Sequence, residues 1–333
     1  MSEPAPAPSR VVPIGARERR WRPGRPVDLA RTLSPLRRGT GDPTVWFDAA
    51  GVFWWGCRTP DGPGALALRH TGGEMLAQAW GPGSDWLLDG APELAGDRDD
   101  WTELDVSGHP VLREVARRHA GVRLTRTRRV LDALAPACLE QRVTHAEARH
   151  AWRRLVREHG ERAPGPGPAD GRRLWIAPAA SALRQVTDWQ WHRYQVDPRR
   201  ARAVRAAATV ADRLEECVTL AGGNGCSTST GAAGCAAARA RLQVVPGVGE
   251  WTAAEVAVRA WGDPDAVSVG DFHIANLVGH VLTGAPRTDD ATMLELLEPW
   301  AGQRARIVLL ARLSGIAPPK YGPRFSPNDI SRI

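Results

Sequence analysis

The chain has 333 residues, 43% of them hydrophobic and 24% charged, and carries a net charge of +7 at neutral pH. That length allows two or three domains with their own cores, and no run of about 18 apolar residues offers a membrane-spanning helix. Of the 44 basic residues only Lys320 is a lysine, so the body of the chain has no amine with which to form a Schiff base.

The Pro- and Arg-rich start, Met1 to Pro26, lacks the apolar stretch of a secretory signal. Five cysteines (Cys57, Cys138, Cys217, Cys226 and Cys235) in so long a chain suggest a reducing compartment, so a cytoplasmic protein is expected. The arginine excess fits a nucleic-acid partner but also a GC-rich coding sequence. Residues 1–20 read as a disordered tail. Short β-favouring runs follow at Thr44–Phe47, Val52–Cys57, Ala65–His70 and Met75–Trp80, separated by Gly, Pro and Asp, and predict a small antiparallel sheet within residues 21–105.

After Gly108 the apolar period becomes helical. Helices are expected over His109–Ala120, Arg126–Gln141, Thr144–His159, Asp197–Leu220 and Met293–Leu313, with Thr144 and Glu147 spaced as a capping box. Residues 161–171 read as a Pro/Gly linker, 221–234 as a low-complexity mobile loop and 316–333 as a tail. The expected fold class is α+β, with a small β-rich N-terminal domain before an all-α body of two lobes over residues 106–315.

The stretch Leu242 to Trp261 holds Pro246-Gly247-Val248-Gly249 between two helical segments, the second starting near Glu250. Two glycines permit a tight turn and leave amides uncovered beside a helix N-terminus, where partial positive charge collects. A phosphate oxygen fits there without any lysine. A bare helix–helix turn is the plainer reading of Gly-x-Gly. Asp271 lies 22 residues after Gly249, within Ser268-Val-Gly-Asp-Phe-His273, and opens the expected helix Phe272–Leu282. It is either an N-cap or an ionised carboxylate facing a developing cation.

With these residues the segment Leu242–His273 resembles the helix-hairpin-helix glycosylase signature, and Gly-Glu-Trp-Thr-Ala is similar to the alkylpurine (3-methyladenine type II) DNA glycosylases. Leu139–Thr144, Leu174–Pro178 and Glu298-Pro-Trp300 with Arg304 resemble further segments of that family, so the likeness spans about residues 105–315. The resemblance implies that Asp271 drives base excision, that Pro246, Gly247, Val248 and Gly249 hold the DNA backbone, and that double-stranded DNA with damaged bases is the partner of a monomer associated with the nucleoid. Bifunctional relatives carry a lysine just after the hairpin, where this chain has Trp251; with the missing lysines this favours water as nucleophile. One carboxylate then suffices, because a base alkylated at N3 or N7 already carries positive charge and needs no general acid.

Base flipping requires a side chain to fill the gap, and the resemblance points to Gln141 or Arg142, at a turn that would otherwise be merely solvated. Trp251 is either core packing or a wall that attracts a cationic base. Glu255 and Arg312 stand where a well-known bacterial member has pocket aromatics, so the pocket departs from the usual one; Glu255 is also open to reading as a surface residue. Relatives with iron–sulfur clusters have four late cysteines, which are missing after Cys235, and the spacing of Cys217, Cys226 and Cys235 fits no common zinc pattern. No metal or other cofactor is therefore expected, although a hairpin of this kind is compatible with a monovalent cation. His273 and His280 read as solvated or satisfied. Arg123, Arg126, Arg128 and Arg129 read as a solvated face or a phosphate contact. Two other functions stay open: a non-catalytic helix-hairpin-helix protein that recognises distorted DNA, and a glycosylase for a different damaged base.

Overall fold

The computed structural model describes residues 15–222 and 229–319. Its first module is an antiparallel sheet of order β1-β5-β4-β3-β2, built from β1 (Arg17–Trp21), β2 (Val45–Phe47), β3 (Phe53–Thr59), β4 (Gly62–Thr71) and β5 (Glu74–Trp80). Alternation along β3 decides which face each side chain joins. Phe53, Trp55 and Cys57 enter a core closed by α1 (Leu29–Leu33) and α2 (Ser84–Leu94). Trp54 points to the other face, stacks on Trp80 at 5.7 Å and packs with Leu174. The strand β1 corrects the expected 1–20 tail: residues 17–20 pair with β5, Arg17 opposite Ala79.

The expected linker 161–171 is in part a strand. Glu161–Arg162 forms β6, paired with β7 at Trp175–Ile176. The backbone between them lies on the sheet, since a Cβ at Gly165 would fall 2.6 Å from the Trp80 ring.

The helical body contains α3 (Pro110–Arg118), α4 (Val130–Leu139), α5 (His145–His159), α6 (Ala180–Gln185), α7 (Asp188–Arg193), α8 (Pro198–Thr209), α9 (Ala211–Glu215) and α10 (Cys217–Leu220). It continues with α11 (Ser229–Gln243), α12 (Glu250–Ala260), α13 (Ile274–Thr283), α14 (Asp290–Leu297) and α15 (Arg304–Leu313). The Thr144–Glu147 capping box starts α5 as expected. Two long helices of the sequence reading are broken. Asp197–Leu220 divides at Val210 and Glu216, and Met293–Leu313 divides where Pro299 and Gly302 interrupt it. Residues 229–234 of the expected loop are helical, and residues 223–228 lie outside the described residues. No helix among the described residues is long and apolar enough to cross a membrane.

Two apolar clusters organise the body. One is built on α4, α5, α8, α11 and α12. The other joins α3, α13, α14 and α15 with Val267. The chain passes between them through residues 261–273, and so Asp271 lies at their junction. Cys57, Cys138 and Cys217 are buried and free. Cys235 is disulfide-bonded, which the expectation of reduced thiols did not include.

Arginine clamps the sheet module to the body. Arg306 donates from Nε to Asp99 Oδ1 at 2.9 Å, and both side chains are 3% exposed. Asp99 Oδ2 also accepts from the amide of Leu124 at 2.7 Å. Removing one member of such a pair strands the other charge. Asp99→Asn should therefore cost about 3–5 kcal/mol in urea unfolding, and pairing it with Arg306→Met should recover part of that loss. Full stability in the single variant would contradict this role.

Candidate active site

The hairpin is anchored by its apolar residues and presents its glycines. Val245 and Val248 are buried, whereas Pro246, Gly247 and Gly249 are exposed. The amide of Val248 closes the turn on Val245 O at 3.0 Å. Gly247 has φ +89°, and a Cβ there would meet Ala203 Cβ at 2.8 Å. Gly249 differs. It is the N-cap of α12 with φ −97°, and a Cβ there would enter open space. The first amides of α12 have no intrahelical acceptor and lie at the positive end of its dipole, so the turn has the geometry of an anion site.

Gln141 braces this turn from just beyond the end of α4. Its Nε2 donates to Gly247 O at 2.9 Å and to Thr252 Oγ1 at 2.8 Å. The two wedge candidates therefore separate: Gln141 is committed to the hairpin, while Arg142 is exposed with φ +54°, a backbone region that arginine rarely adopts.

Asp271 is half-buried and fully engaged. Oδ1 accepts the amides of His273 at 2.8 Å and Ile274 at 3.1 Å, so Asp271 serves the start of α13 from two residues before its N-cap, His273, and the helix begins two residues later than expected. Oδ2 accepts the indole N–H of Trp251 at 3.0 Å. Trp251 is neither simple core nor only a wall, because it holds the carboxylate. One turn further along α12, Glu255 is 8% exposed. Its oxygens accept from Ser268 Oγ at 2.6 Å and Arg259 Nη1 at 2.7 Å. Burial pushes the Glu255 carboxyl up, but Arg259 and Arg312, with the Ser268 hydroxyl, outweigh it and hold it at about 2. Glu255 is thus not the surface residue that one sequence reading allowed, because a buried carboxylate in this chain finds a cation four residues away. Arg312 is exposed in the last turn of α15 and acts on Glu255 through its charge.

The arginine cluster of the sequence reading is also redirected. Arg126 is buried and paired with Glu93, Arg128 meets Asp89 and lies over Trp86, and Arg129 pairs with Glu215. Arg123 lies over Trp101 at 5.0 Å. Arg126 and Arg128 thus tie the body to α2 of the sheet module, and Arg129 ties α4 to α9 within the body. His280 bonds Ala285 O through Nδ1 at 3.1 Å, and the His273 ring meets Phe272 edge-on. Sequence reasoning missed Phe272, 72% exposed beside Asp271; its apolar character next to the aspartate was the available signal. It also missed Ser268, whose partner Glu255 no local pattern reveals. Lys320 and Cys226 lie outside the described residues.

No protein-family model matches the chain. It is 31% identical over 169 residues to the probable bifunctional transcriptional activator/DNA repair enzyme AlkA of Mycobacterium tuberculosis, in two strains, covering 50% of this chain and 30% of that protein. The chain thus matches less than a third of the length of those curated relatives. Among solved structures it is similar to the 3-methyladenine DNA glycosylase of Archaeoglobus fulgidus, with a TM-score of 0.71, 16% identity, and coverage of 88% of this chain and 96% of that one. It is similar to the 8-oxoguanine glycosylase/lyase of Clostridium acetobutylicum in complex with double-stranded DNA, with a TM-score of 0.67, 12% identity, and coverage of 90% and 97%. The fold is that of this class of DNA glycosylase structures. Within that class the chain resembles the 3-methyladenine, AlkA-type branch, as its hairpin sequence implied.

The two glycines make separable predictions. Gly247→Ala should lower stability by at least about 1 kcal/mol, whereas Gly249→Ala should unfold like wild type yet weaken duplex DNA binding. Unchanged affinity in Gly249→Ala would remove the anion-site reading. Glu255→Gln should destabilise by about 3–5 kcal/mol at neutral pH by stranding Arg259. Because the native carboxyl is held at about 2, below its unfolded value, the wild-type advantage should persist above about pH 4.5 and fade as pH falls toward 2. Denaturant midpoints against pH for both proteins check this.

Proposed function

We propose that the protein is a monofunctional DNA glycosylase that hydrolyses the N-glycosidic bond of N3- or N7-alkylated purines flipped out of duplex DNA, as a step of base excision repair on nucleoid DNA in the cytoplasm. The observation that carries this reading is Asp271, a half-buried carboxylate held by two backbone amides and the Trp251 indole, one helix beyond the hairpin. Two amide donors and an indole N–H fix the orientation of this carboxylate. In the proposed reaction the hairpin amides hold a backbone phosphate and Arg142 fills the space left by the flipped nucleotide. As the cationic base departs with the bonding electron pair, positive charge develops on the sugar opposite Asp271. The carboxylate stabilises that charge and orients water, which adds to C1′ and passes its proton to solvent water. Asp271 and water suffice for these steps.

No lysine occurs among the described residues, which supports hydrolysis over an amine-linked route with strand cleavage. The name of the Archaeoglobus relative supports an alkylpurine substrate, and that of the Clostridium relative keeps an oxidised purine as the competing lesion. The cap that Asp271 gives α13 favours a second reading, in which the residue is structural and the protein binds distorted DNA without chemistry.

Asparagine caps helices as well as aspartate does, so Asp271→Asn separates these readings. It should fold normally and retain binding to damaged duplex while base release from methylated DNA falls by at least about 100-fold, a loss typical of an electrostatic catalytic group. Release at the wild-type rate would overturn the catalytic assignment. Wild-type protein that binds but frees no base would establish the second reading, and chromatographic identification of the freed bases decides the lesion.

A further inference from the structure

Several arginines without a carboxylate partner among the described residues lie away from the cluster the sequence made conspicuous. Arg149, Arg153 and Arg157 repeat every four residues along one side of α5, and none has an ion-pair partner among the described residues. The loop before β2 packs on the first two. A Cβ at Gly39 would fall 2.7 Å from Arg149 Cδ, and one at Gly41 2.8 Å from Arg153 Nη1. At the far end of this row Arg157 enters a groove of about 430 Å³ between the sheet module and the β6–β7 hairpin, which Arg162, Arg172 and Arg173 also line.

Two indoles make this groove a built structure. Arg172 lies over Trp46 at 3.5 Å, with Arg37 over the same ring at 4.5 Å, and Arg162 lies over Trp175 at 4.3 Å. The amide of Trp175 donates to Pro43 O at 2.9 Å, which ties the two walls together. The acidic neighbours are already committed. Asp42 is buried and accepts from the amides of Arg38 and Thr44, Asp170 pairs with Arg172, and Glu161 pairs with Arg58. Arg157, Arg162 and Arg173 have no carboxylate partner among the described residues.

We infer that the α5 arginine row and the Trp46–Trp175 groove form a second DNA-contacting surface, which holds backbone phosphates of the duplex flanking the lesion. Arg162, oriented by the Trp175 face, keeps its N–H edge free for a phosphate fork, as the ring does not compete for those donors. The same stacking occupies the ring faces against which bases would otherwise lie, so the groove suits the backbone rather than single-stranded bases. Arg142, the exposed residue next to the hairpin brace, precedes Arg157 by 15 residues, most of them in α5, and at 1.5 Å per helical residue Arg157 lies about 20 Å from Arg142. Along one strand that spans about six base pairs. This inference rests on DNA being the partner, as proposed above.

The test compares two lesion-centred duplexes, one with about four base pairs on each side and one with about fifteen, on wild type, the triple variant Arg157→Gln/Arg162→Gln/Arg173→Gln, and Gly249→Ala. The triple variant should melt like wild type and bind the long duplex at least about 10-fold more weakly, with a salt dependence shallower by about 2–3 in log–log slope. Its affinity for the short duplex and its single-turnover base release at saturating DNA should match wild type. Gly249→Ala should weaken both duplexes alike. Unchanged long-duplex binding in the triple variant, or equal weakening of both lengths, would overturn the second surface while leaving the proposed function standing. Loss of tripolyphosphate binding with DNA binding intact would assign the groove to a small anion and overturn it too. Failure of the wild type to bind either duplex would overturn both.

Discussion

The arrangement depends on how one side of α12 is tied to the segment that follows it. Trp251 and Glu255, one turn apart, reach Asp271 and Ser268, three residues apart. Two ties at matched spacing fix both position and rotation of that segment, which a single bond would leave free to pivot. The segment also crosses between the two apolar clusters of the body, so the same ties set how one lobe meets the other. The hairpin, at the N-terminus of this helix, and the carboxylate, tethered to its first turn, are thereby held on one rigid element. A site that must place a phosphate and a sugar at a fixed separation benefits from that construction.

Holding a carboxylate by a neutral indole rather than a lysine has a chemical consequence. An ammonium beside Asp271 would neutralise it and supply a competing nucleophile. The indole N–H donates a hydrogen bond without adding charge, so the negative field of Asp271 stays available to a developing cation. The counter-charge in this region sits one and two turns away, on Glu255 with Arg259, where burial separates it from solvent.

Much of this was legible in the sequence, and what was not has a common cause. The hairpin could be read because its demands are local: Gly247 has a φ of +89°, and glycine is the residue that meets it at least cost. The sheet could be read because its strands alternate between two buried faces. The capping box lay within four residues. Where partners are remote, sequence reasoning failed. Arg128 and Arg129 looked like a surface patch because Asp89 and Glu215 are far along the chain, and residues 17–20 looked like a tail because their pairing partner is β5. The division of the last helix at Pro299 was different, for there the signal was present and outweighed by apolar periodicity.

The distribution of arginine follows from the same physics. A guanidinium can be buried because its planar fork is weakly hydrated and can serve several acceptors at once, as Arg259 does with Pro35 O, Glu255 O and Glu255 Oε2. Local density of arginine in this sequence therefore does not mark a basic surface. Where carboxylates from α2 and α9 approach, arginines become internal ties, between modules in the first case and within the body in the second. Along α5 and the groove beyond it the nearby carboxylates are taken by other partners, and the positive charge stays unneutralised. Which arginines face a polyanion is decided by where the acids fold to, a property of the tertiary structure that composition does not contain.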